Sequence, residues 1–157
     1  MKKLLLFIPA LLVVTLAWFL AYEYAGDDES PKEDALNQDT DRSLYESDWI
    51  WEYTELPNQE RFEAPAGEKF VLSFDEKESR LGSTTDCNSL GGDYLQEGNV
   101  LTIGPLVSTL MYCDGSVEGV YASELTMVTS FEIVEERLVL TLSHDQGKMF
   151  FKKKLKT

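Results

Sequence analysis

Hydrophobic and polar residues alternate along most of the chain beyond residue 45, which is typical of β-strands with one buried face. In the segment SDWIWEYTE, Trp49, Trp51 and Tyr53 fall on the same face. The same period recurs in KFVLSFD and in NVLTIG. Further segments near the end of the chain show it as well: 131–133, 138–142 and 149–153. The pattern therefore predicts a domain built mainly from antiparallel strands.

Short clusters of glycine and polar residues separate these predicted strands and indicate turns. They are Gly91-Gly92, Glu97-Gly98-Asn99, Glu135-Glu136 and the segment 144–147. Strands joined in this way tend to curl or close, because an open strand edge promotes aggregation. We therefore expect a curved antiparallel β-sheet or a partly open β-barrel.

One segment after Ser116 departs from the strand pattern. Its hydrophobic residues fall at helical spacing: Val117, Val120, Tyr121, Leu125 and Val128. Ser116 can cap the start of a helix, and Glu118 in its first turn suits the helix dipole. The predicted fold class is therefore α+β, an antiparallel sheet with one packed α-helix, preceded by an N-terminal transmembrane helix.

The transmembrane helix is predicted from an uncharged hydrophobic stretch over residues 4–22, preceded by Lys2 and Lys3. At about 1.5 Å per residue, a helix of this length matches the hydrocarbon core of a bilayer. A cleaved signal peptide also begins in this way, but small residues are poorly placed here for cleavage. We therefore expect residues 1–25 to be an intact anchor, with the chain's start in the cytoplasm and the rest outside.

Residues 26–45 contain many acidic residues and few apolar ones. Such a segment cannot bury enough hydrophobic surface to offset the entropy lost on ordering. We interpret it as a flexible linker to a folded domain over residues 46–157. Its acids could capture cations or a partner, but solvation and mutual repulsion are their ordinary roles.

Charge and composition exclude several functions. The chain has 28 acidic against 14 basic residues, a formal net charge of −14. Nucleic-acid binding needs clustered Lys and Arg, so we expect no nucleic-acid partner. One His and two Cys leave little for a metal site built from those residues. The glycine spacings match no phosphate-binding or dinucleotide-binding motif.

Catalysis has no specific sequence signal. The lone His144 lies in a predicted turn, and no serine or cysteine stands in a nucleophile motif that could use it. A hydrolase that uses paired carboxylates is a further class, but 28 acidic residues always offer pairs. We therefore predict no catalytic residue, no metal and no cofactor.

The two cysteines, Cys87 and Cys113, are 26 positions apart. An even number of cysteines in an oxidising compartment favours a disulfide. Closing a loop of this size would stabilise the fold by about 3–4 kcal/mol. Two separate buried thiols, packed as small apolar residues, are the alternative.

Two blocks of sequence carry a family resemblance. Residues 84–94 read TTDCNSLGGDY and residues 108–113 read STLMYC, with LTIGP between them. With the aromatic opening WIWEY and the closing strands, they resemble the META domain, the family of the heat-shock protein HslJ. The resemblance covers about Trp49 to Phe151. The residues of the family motif are Asp86, Cys87, Asn88, Gly91, Gly92, Tyr94, Ser108, Thr109, Met111 and Cys113.

The resemblance implies a small β-rich fold with one helix, exported to the bacterial envelope and linked in some members to stress resistance. It implies no catalytic residue, because the family has no established active site. In physical terms, Asp86, Asn88 and the glycines are typical of turns. Leu110, Met111 and the cysteines are typical of a core.

These observations favour a non-enzymatic interaction or stress-response module, anchored in the cytoplasmic membrane through residues 4–22 with its domain outside. The partner is an unknown envelope protein. The alternative is a carrier, whose curved sheet would enclose a lipid or another small apolar ligand. The residues proposed to line that cavity are Trp49, Trp51, Phe70 and Phe74. A filled core would favour the module, and an empty apolar cavity would favour the carrier.

Overall fold

A computed structural model describes residues 44–67 and 69–155. All of them belong to one compact unit, residues 34–157. The predicted anchor over residues 1–25 and nearly all of the predicted linker over 26–45 lie outside the described residues. Within the described ranges, no helix has both the length and the apolar character needed to cross a membrane.

Ten strands and one complete α-helix lie in the described ranges. The strands before the helix are β1 (Ser47–Glu55), β2 (Arg61–Glu63), β3 (Val71–Asp75), β4 (Arg80–Thr84), β5 (Ser89–Glu97), β6 (Val100–Ile103) and β7 (Val107–Ser108). The helix α1 (Glu118–Leu125) is followed by β8 (Val128–Val134), β9 (Arg137–Leu142) and β10 (Lys148–Leu155).

Eight of these strands close into an antiparallel barrel in the order β1-β3-β4-β5-β6-β8-β9-β10. β10 pairs back with β1 along the whole length of that strand. β2 and β7 pair with β1 and β5, outside the ring. The expected partly open barrel is therefore wrong, because the first and last strands join. The α+β class also overstates the helix in a fold that is mostly β.

Aromatic side chains from alternate strand positions fill the barrel interior. The rings of Trp51 and Phe70 meet edge to face, with centroids 5.2 Å apart. Tyr121 of α1 reaches both rings, at 5.1 Å and 5.0 Å. Its hydroxyl lies 2.9 Å from Ser83 Oγ, so the polar tip of this buried side chain has a partner. The predicted inward positions of Trp49 and Trp51 are confirmed, and α1 packs on the sheet as expected.

A β-bulge in β1 reverses the faces of that strand. Its register against β10 shifts between Trp51 and Tyr53. Thr54 therefore takes the inward place, where it is fully buried and donates a hydrogen bond to Glu124 Oε2 at 2.7 Å. Tyr53 stacks instead on Phe150, with ring centroids 4.7 Å apart. The prediction that Tyr53 shares the face of the two tryptophans is wrong for this reason.

The turns at 97–99, 135–136 and 144–147 are confirmed, since each lies between two consecutive strands. The turn predicted at Gly91-Gly92 is wrong, because both glycines lie inside β5. A Cβ atom on Gly92 would stand 2.8 Å from the Leu106 side chain and 3.1 Å from the Pro105 carbonyl oxygen. Gly92 therefore allows close packing rather than chain reversal.

The predicted helix after Ser116 is confirmed over Glu118–Leu125. It ends earlier than its hydrophobic spacing suggested, because Val128 already begins β8. Tyr121 and Leu125 are fully buried and form the face of α1 that packs on the core.

Candidate functional site

The structure brings the two motif blocks together where β5 and α1 begin. Ser108 of β7 pairs with Leu90 of β5. The predicted disulfide is confirmed, because Cys87 and Cys113 are bonded across a Cα–Cα distance of 5.8 Å. The alternative of two separate thiols is therefore wrong. We call residues 109–113 the clamped loop, for the contacts described next.

Asn88 is the centre of these contacts. Its Oδ1 accepts hydrogen bonds from Thr109 Oγ1 at 2.8 Å and from the Met111 amide at 2.9 Å. Its Nδ2 donates to the Met111 carbonyl oxygen at 3.0 Å and to Glu118 Oε1 at 3.2 Å. A side-chain amide offers two acceptor and two donor positions, so all four are used. Asn88 is buried, and it therefore fixes the backbone of Met111 from both sides.

Glu118 is the second centre. Besides Asn88, its carboxylate accepts a hydrogen bond from Thr85 Oγ1 at 2.5 Å, and Ser108 Oγ lies 3.0 Å away. The Thr85 hydroxyl also accepts hydrogen bonds from the amides of Cys87 and Asn88. Glu118 thus ties the turn before β5 to β7 and α1. Hydrogen bonds to a charged group are stronger than those between neutral groups, which makes this a firm junction.

Asp86 holds the start of α1. Its Oδ1 accepts a hydrogen bond from Ser116 Oγ at 2.6 Å, and its Oδ2 accepts one from the Val117 amide at 3.3 Å. Ser116 Oγ in turn accepts from the Glu118 amide at 3.2 Å. Free amides and the positive end of the dipole at a helix start both favour an acidic partner. Asp86 therefore fixes the two residues that lead into α1 from another part of the chain.

The clamped loop exposes hydrophobic side chains to solvent. Leu110 is 100% exposed, Met111 63% and Tyr112 91%. The prediction that Leu110 and Met111 belong to the core is wrong, because their segment is held at the surface by its backbone. Cys87 is buried, as predicted, but Cys113 is only half-buried. We define Leu110, Met111 and Tyr112 as the apolar tip.

The remaining motif residues lie along β5 and serve the fold. Gly91 pairs with Gly82 of β4. Tyr94 is buried, contacts the Phe74 ring edge to face at 5.3 Å, and donates a hydrogen bond to the Asp75 carbonyl oxygen at 3.1 Å. Burial raises the pKa of Tyr94 well above its usual value, so this tyrosine stays neutral. These residues support β5, the strand that begins directly after Asn88.

We call Thr85, Asn88, Glu118 and the Cys87–Cys113 disulfide the clamp, because together they hold the clamped loop. Thr85 and Glu118 were missed from sequence. Thr85 stood inside the resembling block without an assigned role, and Glu118 was assigned only to the helix dipole. A usable signal existed, because Glu118 lies five residues after Cys113, and a disulfide to Cys87 brings it near the Thr85 turn. His144 lies exposed in the turn before β10, with Nδ1 3.1 Å from Ser143 Oγ.

The space assigned to an apolar ligand is occupied by the protein's own side chains. Trp49, Trp51, Phe70 and Phe74 are each at most 3% exposed and belong to one packed cluster. A shallow groove of about 420 Å³ crosses the outer surface, beside Ser73 and Thr84. Both hydroxyls donate hydrogen bonds to backbone carbonyls of the domain.

Comparisons with known proteins agree with this geometry. The profile of the META domain family matches residues 46–155. A search of curated proteins gives no match. Because the matched segment contains the barrel, the disulfide and the clamped loop, the family match covers all the features described above.

Solved structures of two bacterial proteins show the same fold. An NMR structure of a protein from Burkholderia xenovorans is 20% identical, with a TM-score of 0.63 over 83% of this chain and 97% of that one. A crystal structure of a DUF4847 family protein from Bacteroides vulgatus is 8% identical, with a TM-score of 0.55 over 73% of this chain and 96% of that one. At these identities the likeness concerns the fold alone.

Proposed function

The chain belongs to the META domain family, and we propose that it is a non-enzymatic interaction module of the bacterial envelope with a role in stress response. The observation that carries this proposal is the apolar tip, three large side chains exposed on a firmly held loop. We assign no catalytic residue and no cofactor. The partner is an envelope protein that binds the tip.

The side chains of the apolar tip are of the kind that protein interfaces use. Aromatic residues and methionine are enriched at protein interfaces, and a few such anchors supply most of the binding energy. Binding through a mobile loop loses affinity, because the loop must be ordered. The hydrogen bonds of Asn88 and the Cys87–Cys113 disulfide have already ordered this segment. The tip is thus pre-organised for a partner.

The filled interior supports a module rather than a carrier. Tyr121 packs against both Trp51 and Phe70, in the interior where a bound acyl chain would have to lie. Admitting such a ligand would require α1 to leave the barrel. The carrier hypothesis therefore receives no support from the packing of the described residues.

A site-specific cross-link tests the proposed surface. A photoreactive amino acid replaces Leu110 in the full chain, which is expressed and irradiated in its own membranes. We expect one discrete protein adduct. The matched control places the same group at Leu95, which is 75% exposed on β5. Equal labelling from both positions, or none from Leu110, would count against the module.

The anchor through residues 4–22 forms part of the proposal and has its own test. The hydrophobic stretch behind Lys2 and Lys3 supports it. Without protease, the chain should be found in the membrane fraction. Protease added to cells whose outer layer alone has been permeabilised should then digest the domain. Complete protection of the domain, or a mature N-terminus after Ala17 or Ala25, would contradict the anchor.

A further inference from the structure

The clamp acts on both neighbours of Leu110 but not on Leu110 itself. Asn88 binds Thr109 on one side and both backbone groups of Met111 on the other. The Thr109 amide also donates to the Ser89 carbonyl oxygen at 3.2 Å. The bond between Leu110 and Met111 is therefore fixed at each end, while the Leu110 side chain is fully exposed.

The loop also lacks regular secondary structure that would keep it out of another protein's cleft. Residues 109–113 form neither helix nor strand, and none of them has a positive φ. The disulfide at Cys113 fixes the end of the loop directly after Tyr112. Such a segment presents successive side chains to a cleft without first having to order itself.

From this geometry we infer that the clamped loop occupies the active-site cleft of a serine endopeptidase, with Leu110 in an apolar specificity pocket. This inference rests on the proposed interaction function and names its partner class. Complexes between peptidases and inhibitors form between pre-organised surfaces that move little on binding. The specificity pocket of a chymotrypsin-like enzyme is a hydrophobic slot, which suits a leucine side chain.

The clamp also explains why such a loop would resist cleavage by the peptidase. Attack of the peptidase serine Oγ on the Leu110 carbonyl would form an ester to Leu110 and release the Met111 nitrogen as an amine, which takes up the serine proton. Asn88 and the Cys113 disulfide hold that amine beside the ester. Its return attack re-forms the peptide bond and gives the proton back to the serine hydroxyl, with no water consumed. The loop then inhibits the enzyme instead of serving as a substrate.

A lipid surface is the competing occupant of the tip. The chain's net charge of −14 opposes contact with anionic headgroups. Asp114, exposed directly beyond the disulfide, adds a negative charge beside the tip. The charges therefore favour a protein cleft over a bilayer.

Inhibition assays with a specificity switch test the inference. The full chain, purified in mild non-ionic detergent, is titrated against chymotrypsin and subtilisin, which accept apolar residues, and against trypsin. We expect inhibition of at least one of the first two at about micromolar concentration or below, and none of trypsin. In Leu110→Arg, inhibition should shift to trypsin and fall about 100-fold for the first two. Leu95→Arg is the control that should change nothing.

A second variant probes the clamp itself. Asn88→Ala should convert the inhibitor into a substrate, with cleavage between Leu110 and Met111 detected by mass spectrometry. The switch at Leu110 stays informative even if Asn88→Ala folds poorly, because a fully exposed position tolerates either side chain.

Several outcomes would overturn the inference. They are the absence of inhibition of all three enzymes, rapid cleavage of the wild-type loop, and unchanged specificity in Leu110→Arg. Flotation with neutral phosphatidylcholine vesicles that is lost in Leu110→Arg would identify a bilayer as the occupant. A positive cross-link from Leu110 together with no inhibition would leave the interaction function standing and remove the peptidase as its partner.

Discussion

The barrel interior and the clamp are both tightly held, but by opposite means. Inside the barrel, aromatic and aliphatic side chains are buried against one another. At the clamp, the buried groups are polar: Asn88 is buried, Glu118 partly buried, and the hydrophobic side chains of Leu110 and Tyr112 face water. One region follows the usual distribution of residues in a soluble protein, and the other inverts it.

The clamped loop separates the residues that stabilise the fold from the residues that are exposed for binding. A segment that served only to stabilise the fold would bury Leu110 and expose the amide of Asn88, because hydrophobic burial is the main favourable term in folding. The clamp instead satisfies its polar groups one by one, so that the apolar tip can stay in solvent. We therefore expect mutations in the barrel to change the free energy of unfolding, and mutations in the tip to change binding.

The strongest contrast should come from a core tryptophan. Trp51→Ala should lower the free energy of unfolding by about 3–5 kcal/mol, because it opens a cavity beside Phe70 and Tyr121. Leu110→Ala, the control at the tip, should cost about 0.5 kcal/mol or less. Urea unfolding followed by circular dichroism measures both. Similar losses in the two variants would break the comparison.

The disulfide should give the next largest effect. Replacing Cys87 and Cys113 with Ala should cost about 3–4 kcal/mol and lower the melting temperature by about 10 °C or more. The wild type should lose a similar amount when a reductant is added, while the variant should not respond to it. Thiol counting on unfolded, unreduced protein supplies the control, and two free thiols would contradict the bridge.

Asn88 tests the polar half of the clamp alone. Asn88→Ala should cost about 1–3 kcal/mol, because the Met111 amide and carbonyl lose their partners. Amide hydrogen exchange should accelerate over residues 109–113 and stay slow in β9. Asn58→Ala, in an exposed turn where Oδ1 accepts from the Glu60 amide, is the control. Unchanged exchange in the loop would show that the disulfide alone holds it.

The smallest effect concerns the junction of α1 with β1. Burial raises the pKa of Glu124, and the hydrogen bond from Thr54 offsets only part of this. The folded state therefore binds this proton more tightly than the unfolded chain. The stabilisation that protonated Glu124 contributes is fully present below the pKa of this group in the unfolded chain. It is lost as the pH rises through the pKa in the folded state.

Glu124→Gln should consequently be more stable than the wild type at pH 7, and this advantage should shrink as the pH falls toward 4. Thermal melts across this range measure the difference, with Glu97→Gln at an exposed position as control. Lower stability of Glu124→Gln at pH 7 would show that the Thr54 hydrogen bond outweighs the cost of burial.

The contrast between the barrel interior and the clamp also explains what could be predicted from sequence. Alternation placed Trp49, Trp51 and Phe70 in the interior, because a buried strand face has a period of two. It failed for Tyr53, since a bulge inserts one residue and nothing in the local composition marks it. The Gly91-Gly92 pair was interpreted as a turn, because the close approach of Leu106 to Gly92 arises only once the chain has folded.

The tip was harder to predict because hydrophobic identity alone indicates burial. From the sequence alone, Leu110 and Met111 resemble core residues. The pairing of β7 with β5, the hydrogen bonds of Asn88 and the Cys87–Cys113 disulfide hold their segment outside. The disulfide could be predicted from the two cysteines and the expectation of an oxidising compartment. The role of Glu118 could not, because it depends on the meeting of the Thr85 turn, β7 and α1.

The joining of β1 to β10 also governs when the domain can fold. Ser47 pairs with Leu155, and about a hundred residues separate the two strands. Pairings so distant in sequence form slowly, because the loop between them must lose its entropy first. Until the last strand is synthesised, β1 and β9 each keep an open edge that can pair with another chain. The barrel can therefore close only after the last strand has been synthesised, and folding of the complete domain has to wait for the end of this segment.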